Sequence, residues 1–366
     1  MCAEVGLSGC KHVDCSDLGS PLERAILTRV QQHFPLCKRP YHELGVRCGV
    51  SEDEAYNAVE AFRSQGIIRR IGASFESSRM GYVSTLAALA IAPHNIERAA
   101  HLVSAHTGVT HNYERNDRYN LWFTLIARNV KERDEELACI AAQTGCNDVL
   151  VLPTQRLFKI KVAFDVTVNE QPVATLSEEV SPVFASASLE PACVEAEPLS
   201  GDDRALIRVL QGDIGATMRP FAQAAKDVSG QVGHTLSEEW VIERTRELHT
   251  AGVIRRFGAM VRHRRMGFSS NAMAVWDVPD NQVLAAGAIL ATPTAVSHCY
   301  QRPRYANWPF NLYTMIHGRD RASCERVAVH LHNELACKGI EVPQPRLLLS
   351  TREFKKTSMR YFEEEY

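Results

Sequence analysis

From Pro21 the apolar positions fall at Leu22, Ile26, Leu27 and Val30, the rhythm of a helix with one buried stripe. A short helix follows over 41–48, then a turn at Gly49 and a longer helix opened by Ser51, with Glu52 and Asp53 in its first turn. A serine N-cap and early carboxylates both favour a helix start. That helix closes at Gly66, and the β-branched run over 67–75 (IIRRIGASF) reads as a strand wing. Three helices and a wing predict a winged helix-turn-helix. Beyond it the pattern alternates strand and helix over 82–92, 95–106, 109–115, 119–128, 131–144 and 149–164. The order βαββαβ predicts a ferredoxin-like sandwich, a four-stranded antiparallel sheet with both helices on one face and the other face left for a partner or ligand.

The whole pattern then occurs again. Residues 66–84 read GIIRRIGASFESSRMGYVS and residues 252–270 read GVIRRFGAMVRHRRMGFSS, aligned without a gap. HNYER at 111–115 answers HCYQR at 298–302, YNLWFT at 119–124 answers FNLYT at 310–314, and QRLFK at 155–159 answers TREFK at 351–355. In the second copy Ser237 opens the third helix, Gly252 closes it, and strands and helices fall over 268–278, 280–291, 295–302, 310–317, 320–338 and 343–354. The fold class is therefore α+β, a tandem repeat of winged helix-turn-helix plus ferredoxin-like domain. Its expected divisions are a leader (1–19), a first winged helix (20–78) and ferredoxin-like domain (79–166), a linker rich in Pro, Ser, Ala and Glu (167–198), a second winged helix (199–264) and ferredoxin-like domain (265–357), and a tail (358–366).

Length and composition add limits. The chain has 366 residues, 45% hydrophobic and 23% charged, with a net charge of −2, which suits a soluble protein of several domains. No apolar run is long enough to cross a bilayer and the N-terminus lacks the apolar core of a signal peptide, so a cytoplasmic protein is expected. The eleven cysteines are scattered without a CxxC pair, which indicates neither a disulfide framework nor a zinc site; Cys2, Cys10 and Cys15 precede the first helix. Of the 41 basic side chains 32 are arginine, a bias that suits bidentate grip on carboxylate or phosphate.

A winged helix followed by a ferredoxin-like domain is the layout of the Lrp/AsnC transcription regulators, and the wing pattern GIIRRIGA resembles theirs. Gene regulation is thus one hypothesis. A recognition helix, however, turns its first residues toward phosphates and base edges. Here those turns read Ser51-Glu52-Asp53-Glu54 and Ser237-Glu238-Glu239-Trp240, and a sequence pI of about 6.7 supplies no basic footprint. Both features argue against DNA.

Residues i, i+2 and i+4 of a strand share a face. His111, Tyr113 and Arg115 therefore project together, as do His298, Tyr300 and Arg302. On the neighbouring strand Tyr119, Leu121, Phe123 and Leu125 suit the helices, leaving Asn120, Trp122 and Thr124 on the open face; in the second copy Phe310, Leu312, Thr314 and Ile316 go inward, and Asn311, Tyr313 and Met315 outward. Among the motifs there is no nucleophile beside a base, no phosphate-cradling glycine loop and no metal-ligand spacing, which argues against hydrolase, kinase and Rossmann dehydrogenase chemistry. What remains is anion binding by Arg and proton transfer by His, with Tyr as a hydrogen-bond donor. That set suits a planar polycarboxylate held by guanidiniums between aromatic walls, with proton delivery to carbon as the reaction.

The paired RRIGA and RRFGA wings, HNYERNDRYNLWFT and HCYQRPRYANWPFNLYTMIHG resemble the siroheme decarboxylases, the Lrp/AsnC-like proteins of heme d1 and alternative heme synthesis. The resemblance spans about 20–165 and 200–357, and WPFNL is its most specific element. It implies removal of CO2 from the acetate side chains at C12 and C18 of siroheme to give 12,18-didecarboxysiroheme. It also implies no added organic cofactor, iron arriving with the substrate, and two subunits fused as an intramolecular pseudo-dimer that could pair again as a homodimer. On this resemblance His111 or His298 delivers the proton, assisted by Tyr113 or Tyr300. Arg115, Arg302, Arg69, Arg70, Arg255 and Arg256 are candidates for gripping carboxylates, only one of each adjacent wing pair facing the pocket. Asn120, Asn311, Trp122, Trp308 and Tyr305 complete the candidate substrate surface. His111 and His298 are also candidates for ligating the siroheme iron. The PRYANWP insert, and Cys299 where the first copy has Asn112, suggest that only one site is fully active and the other shapes the pocket or the interface. The alternatives are an Lrp/AsnC-type regulator and a non-catalytic heme or tetrapyrrole sensor.

Overall fold

The computed structural model describes residues 19–160, 199–214, 217–262, 270–318 and 320–363. The leader cysteines and the linker expected over 167–198 lie outside the described residues. In the first half α1 (Pro21–Gln32), α2 (Pro40–Cys48) and α3 (Glu52–Ser64) are followed by β1 (Ile68–Phe75), then β2 (Val83–Leu89), α4 (Ile96–Ala105), β3 (Val109–Arg115), β4 (Leu121–Ala127), α5 (Val130–Thr144), β5 (Val149–Pro153) and β6 (Arg156–Ile160). The second half repeats the series as α6 (Gly201–Leu210), α7 (Pro220–Val232), α8 (Glu238–Thr250), β7 (Ile254–Val261), β8 (Ser270–Trp276), α9 (Val283–Ala291), β9 (Val296–Gln301), β10 (Leu312–Gly318), α10 (Arg321–Cys337) and β11 (Arg346–Lys356).

Local chemistry sets the helix ends. Ser20, Ser51 and Ser200 each cap a helix and are answered by the carboxylates of Glu23, Glu54 and Asp203, so two otherwise unpaired N–H groups are satisfied at each start. Gly66 and Gly252 take φ of +66° and +75°, the left-handed turn that lets α3 and α8 hand over directly to a strand.

The wings depart from expectation. β1 and β7 pair with each other, antiparallel, with Gly72 opposite Gly258, so each strand completes a ribbon shared by both halves. A Cβ on Gly72 would lie 2.5 Å from the Gly212 carbonyl oxygen and 2.6 Å from that of Leu210; on Gly258 it would lie 2.7 Å from Val30 O and 2.8 Å from Gln31 O. Each wing therefore presses on the first helix of the other half. The two winged helices accordingly share one core, with Phe34, Phe221 and Phe257 within 6.4 Å of one another.

The sheets exchange strands in the same way. The first half has the ferredoxin-like order β5-β2-β4-β3 and the second β11-β8-β10-β9. The strand expected over 149–164 breaks after Pro153: β5 pairs with β2 of its own half, and β6 crosses to β9. β11 does the same without a break, pairing with β8 through Arg346–Leu349 and with β3 beyond Ser350. Lys159 caps the end of α9 by donating to the Thr292 and Pro293 carbonyls, and Lys355 caps α4 at Ser104 and His106. Because β5 and β6 are successive pieces of one chain segment, the nine-strand order closes on itself as a barrel. The sheet faces expected to be open are its interior.

Cores lie under each sheet, around Leu121, Phe123 and Leu125 in one half and Leu312 and Ile316 in the other, as the alternation predicts. Tyr119 and Phe310 differ: both join Trp122, Trp308 and Tyr313 inside the barrel. The expected tail is anchored, since Tyr361 is 4% exposed and Gln211 holds both its N–H and its carbonyl.

Candidate active site

Two strands build the site, and one irregularity in each aims its side chains. In β3 the register with β4 slips between Val109 and His111, and in β9 that with β10 slips between Val296 and His298, leaving Thr110 and Ser297 as extra residues. The bulge lets Val109 and Asn112, or Val296 and Cys299, face the helices while His111 and His298 turn into the barrel. Beyond the bulge the expected alternation holds. His111 stacks on Tyr113 at 6.2 Å between ring centroids and His298 on Tyr300 at 6.0 Å. The Arg115 and Arg302 guanidiniums lie over those phenols at 5.7 and 4.8 Å.

The ladders run from a polar mouth to a packed floor. Arg115 donates to Leu348 O at 2.7 Å and Arg302 to Leu152 O, so each arginine ties its ladder to the crossing strand of the other half. Both are buried, and the Nε of each has no hydrogen-bond partner. Burial pulls Arg115 down to about 10. At the floor Trp122 and Trp308 are each 1% exposed and bond within the protein, to Tyr119 O and the Tyr313 hydroxyl.

The floor corrects several expectations. Trp122 and Trp308 are packed into the apolar cluster of the floor instead of lining an open surface, and the PRYANWP insert packs at the same end: Asn307 donates to the Tyr119 hydroxyl at 2.6 Å and Tyr305 donates to Val151 O. Asn120 and Asn311 are not on the site surface either. Each clasps the backbone after the first strand of its sheet, Asn120 at Ile91 N and O, Asn311 at Val278 N and O. A buried amide needs such partners, and these two spend their donors and acceptors on the fold.

At the mouth the wing arginines separate. Arg70 donates to Gly212 O and Ala73 O, and Arg256 to Gln31 O and Ala259 O, so the second arginine of each pair staples the ribbon to the opposite winged helix. Arg69 and Arg255 are the exposed members. Arg69 bears electrostatically on His111, and Arg255 on His298 and Tyr300. Glu76 is 3.7 Å from Arg255, and Lys356 adds a further cation toward His111 and His317.

His317, Ser297 and Lys356 escaped the sequence reading. The alternation that placed Tyr313 and Met315 on the inner face reaches His317 one step later, so its signal was present. Burial, reinforced by surrounding cations, holds all three imidazoles neutral: His111 falls to about 4, His298 to about 3 and His317 to about 4. Depressed pKa values mean that the unfolded chain, with histidines near 6.5, binds more protons between pH 6.5 and about 4. Stability should therefore be full above pH 6.5 and fall as pH drops through that window. Melting temperatures from pH 7.5 to 4.5 check this, and a slope unchanged when all three histidines become glutamine would contradict it.

Relatives decide the family. The AsnC-like ligand binding domain family matches residues 79–159 and 265–355, and the siroheme decarboxylase NirDL-like HTH domain family matches 23–69 and 203–255. A siroheme decarboxylase of Hydrogenobacter thermophilus is 33% identical over 93% of this chain and 95% of its own length. The chain belongs to the siroheme decarboxylase family. Siroheme decarboxylases are carboxy-lyases, so this chain is an enzyme of that class. The siroheme decarboxylase beta subunit of Methanosarcina barkeri is 41% identical over 43% of this chain and 97% of its own length, which matches one half of the tandem. The crystal structure of the siroheme decarboxylase NirDL in co-complex with an iron-uroporphyrin III analogue superposes with a TM-score of 0.68 at 30% identity, covering 94% of this chain and 96% of that one. Among the described residues no helix is long and apolar enough to cross a membrane.

Proposed function

We propose that this chain removes the acetate carboxyl groups at C12 and C18 of siroheme, giving 12,18-didecarboxysiroheme and two CO2, with no added cofactor and with iron carried by the substrate. The observation that supports it most is the convergence of two His-Tyr-Arg ladders beneath Arg69 and Arg255 at one barrel mouth. In this reading Arg69, Arg255 and Lys356, the cations that bear on His111 and His298, hold carboxylates, while Arg115 and Arg302 lie against Tyr113 and Tyr300 and support them.

The chemistry needs one proton per carboxylate. The bond from the exocyclic carbon to the carboxylate breaks, CO2 leaves, and the electron pair delocalises into the macrocycle. A proton then closes the carbon to a methyl group. In this reading His111 or His298 delivers that proton, assisted by Tyr113 or Tyr300 as hydrogen-bond donor. An anionic guest would also offset the cations that reinforce burial in keeping these imidazoles neutral.

The DNA-binding alternative fits the geometry poorly. Arg39 pairs with Glu52 at the start of α3, and its neighbour Lys38 pairs with Glu239 at the start of α8. Two adjacent residues therefore bridge the would-be recognition helices, keeping their N-termini within roughly 20 Å by chain geometry. Half-sites on a duplex lie about 34 Å apart. The same acidic turns are consumed by ion pairs, Arg219 holding Glu238 in the second half.

Anaerobic incubation with siroheme, followed by mass spectrometry, should show two successive losses of about 44 Da, the mass of the CO2 released at each step. Unchanged siroheme with folded protein would end the proposal.

A further inference from the structure

The imidazole of the second half has a connection that its counterpart lacks. Ser297 Oγ lies 2.7 Å from His298 Nδ1 and 2.8 Å from His317 Nε2. Its next neighbour, the Met315 carbonyl, is 3.4 Å away, outside the usual O–H···O range. A hydroxyl has one proton to give. It donates to one ring nitrogen and accepts from the other, so the three groups form a chain with a direction.

In the first half Thr110 occupies the same bulge, with Oγ1 3.0 Å from His111 Nδ1. The position matching His317 is Ile126, which is buried and packs into the winged-helix core. Isoleucine carries no proton, so that chain ends at the threonine.

We propose that His317 and Ser297 form a proton relay behind His298, which makes the second half of the chain the one that delivers the proton. This rests on the decarboxylase reading above. His298 is neutral at rest, and a neutral imidazole that gives up its only N–H becomes an anion unless its second nitrogen is protonated as it does so. The relay supplies that proton. His298 Nε2–H breaks as the new C–H bond forms on the substrate; Ser297 Oγ–H passes to His298 Nδ1; His317 Nε2–H passes to Ser297; and His317, which is partly accessible, takes a proton from solvent at Nδ1. One solvent proton enters for each proton placed on carbon, and no oxidant or reductant is needed. The groups facing this relay are Arg255 on β7, His111 and Arg115 on β3, Arg302 after β9 and Lys356 on β11. They are mostly cationic, so they disfavour a stored imidazolium and favour a proton that moves through.

The test uses the full chain, siroheme turnover under anaerobic conditions, siroheme affinity by absorbance titration, and rates in H2O/D2O mixtures. His317→Gln keeps a polar side chain but cannot relay; Ser297→Ala removes the bridge; Ser297→Thr restores the group the first half uses. His317→Gln and Ser297→Ala should each lower kcat by about 100-fold, in the range of lost acid catalysis, with affinity within about threefold of the parent, a change too small to explain the lost rate. Ser297→Thr should recover most of the rate. The parent's rate should curve with deuterium content, as several protons move together, and become linear in His317→Gln. Parent-like turnover and curvature in both His317→Gln and Ser297→Ala would overturn the relay while leaving the decarboxylase reading intact. If the parent itself leaves siroheme unchanged, that reading fails first and the relay with it.

Discussion

His298→Ala is expected to lower siroheme turnover by about 10³-fold, the middle of the range for losing a general acid. The side chain is at the barrel mouth, stacked on Tyr300, with its Nδ1 bonded to Ser297 and its ring facing Arg255 and His111. His111→Ala should cost about tenfold and act mainly on binding, because its hydrogen-bonded chain stops at Thr110. Steady-state turnover and siroheme titration of the two variants check both statements. Full activity in both would remove the histidines from the proton step.

The largest effect on stability is expected from the ribbon glycines. Gly258→Ala would place a methyl 2.7 Å from Val30 O and 2.8 Å from Gln31 O, and Gly72→Ala would place one 2.5 Å from Gly212 O. The obstructing atoms are backbone carbonyls, which cannot swing aside as a side-chain end can. Relief requires the ribbon to lift from α1 or α6, separating packed core on both halves, so each substitution should cost about 3 kcal/mol, the upper end for overpacking. The two residues face each other in the ribbon and their effects should not add. Gly230→Ala is the matching control: it is exposed in α7 with open space at its Cβ, and alanine there should be neutral or stabilising by up to about 1 kcal/mol. Urea unfolding midpoints separate the cases. A Gly258→Ala midpoint equal to the parent's would mean the close approach is absent.

Much of this was readable along the chain. The helix caps at Ser51 and Ser237, the closing glycines and the βαββαβ order depend on neighbours within a few residues, so local pattern reports them faithfully. The His-x-Tyr-x-Arg alternation also survived, because the bulge falls before His111 and His298 and not within the set. Asn120 and Asn311 misled because an exposed-looking amide in a strand pattern says nothing about backbone from a distant turn that needs its bonds. Trp122, Trp308 and Tyr305 misled because the alternation names a face and leaves open what covers it.

Local order along the chain specifies two copies of one α+β unit and the side chains each turns to the free face of its sheet, since repeats and strand periodicity are properties of neighbouring residues. Tertiary structure alone decided that those faces close into one barrel, that Arg69 and Arg255 reach its mouth while Arg70 and Arg256 staple the ribbon, and that His317 meets Ser297. Those outcomes depend on pairings between residues about 20 to 290 positions apart, as in Ser297–His317 and Arg69–Ser358. The barrel and the arginine positions are fixed by strand exchange between the halves, which leaves no mark on local pattern, whereas Ser297 and His317 meet through the bulged β9–β10 pairing inside the second half.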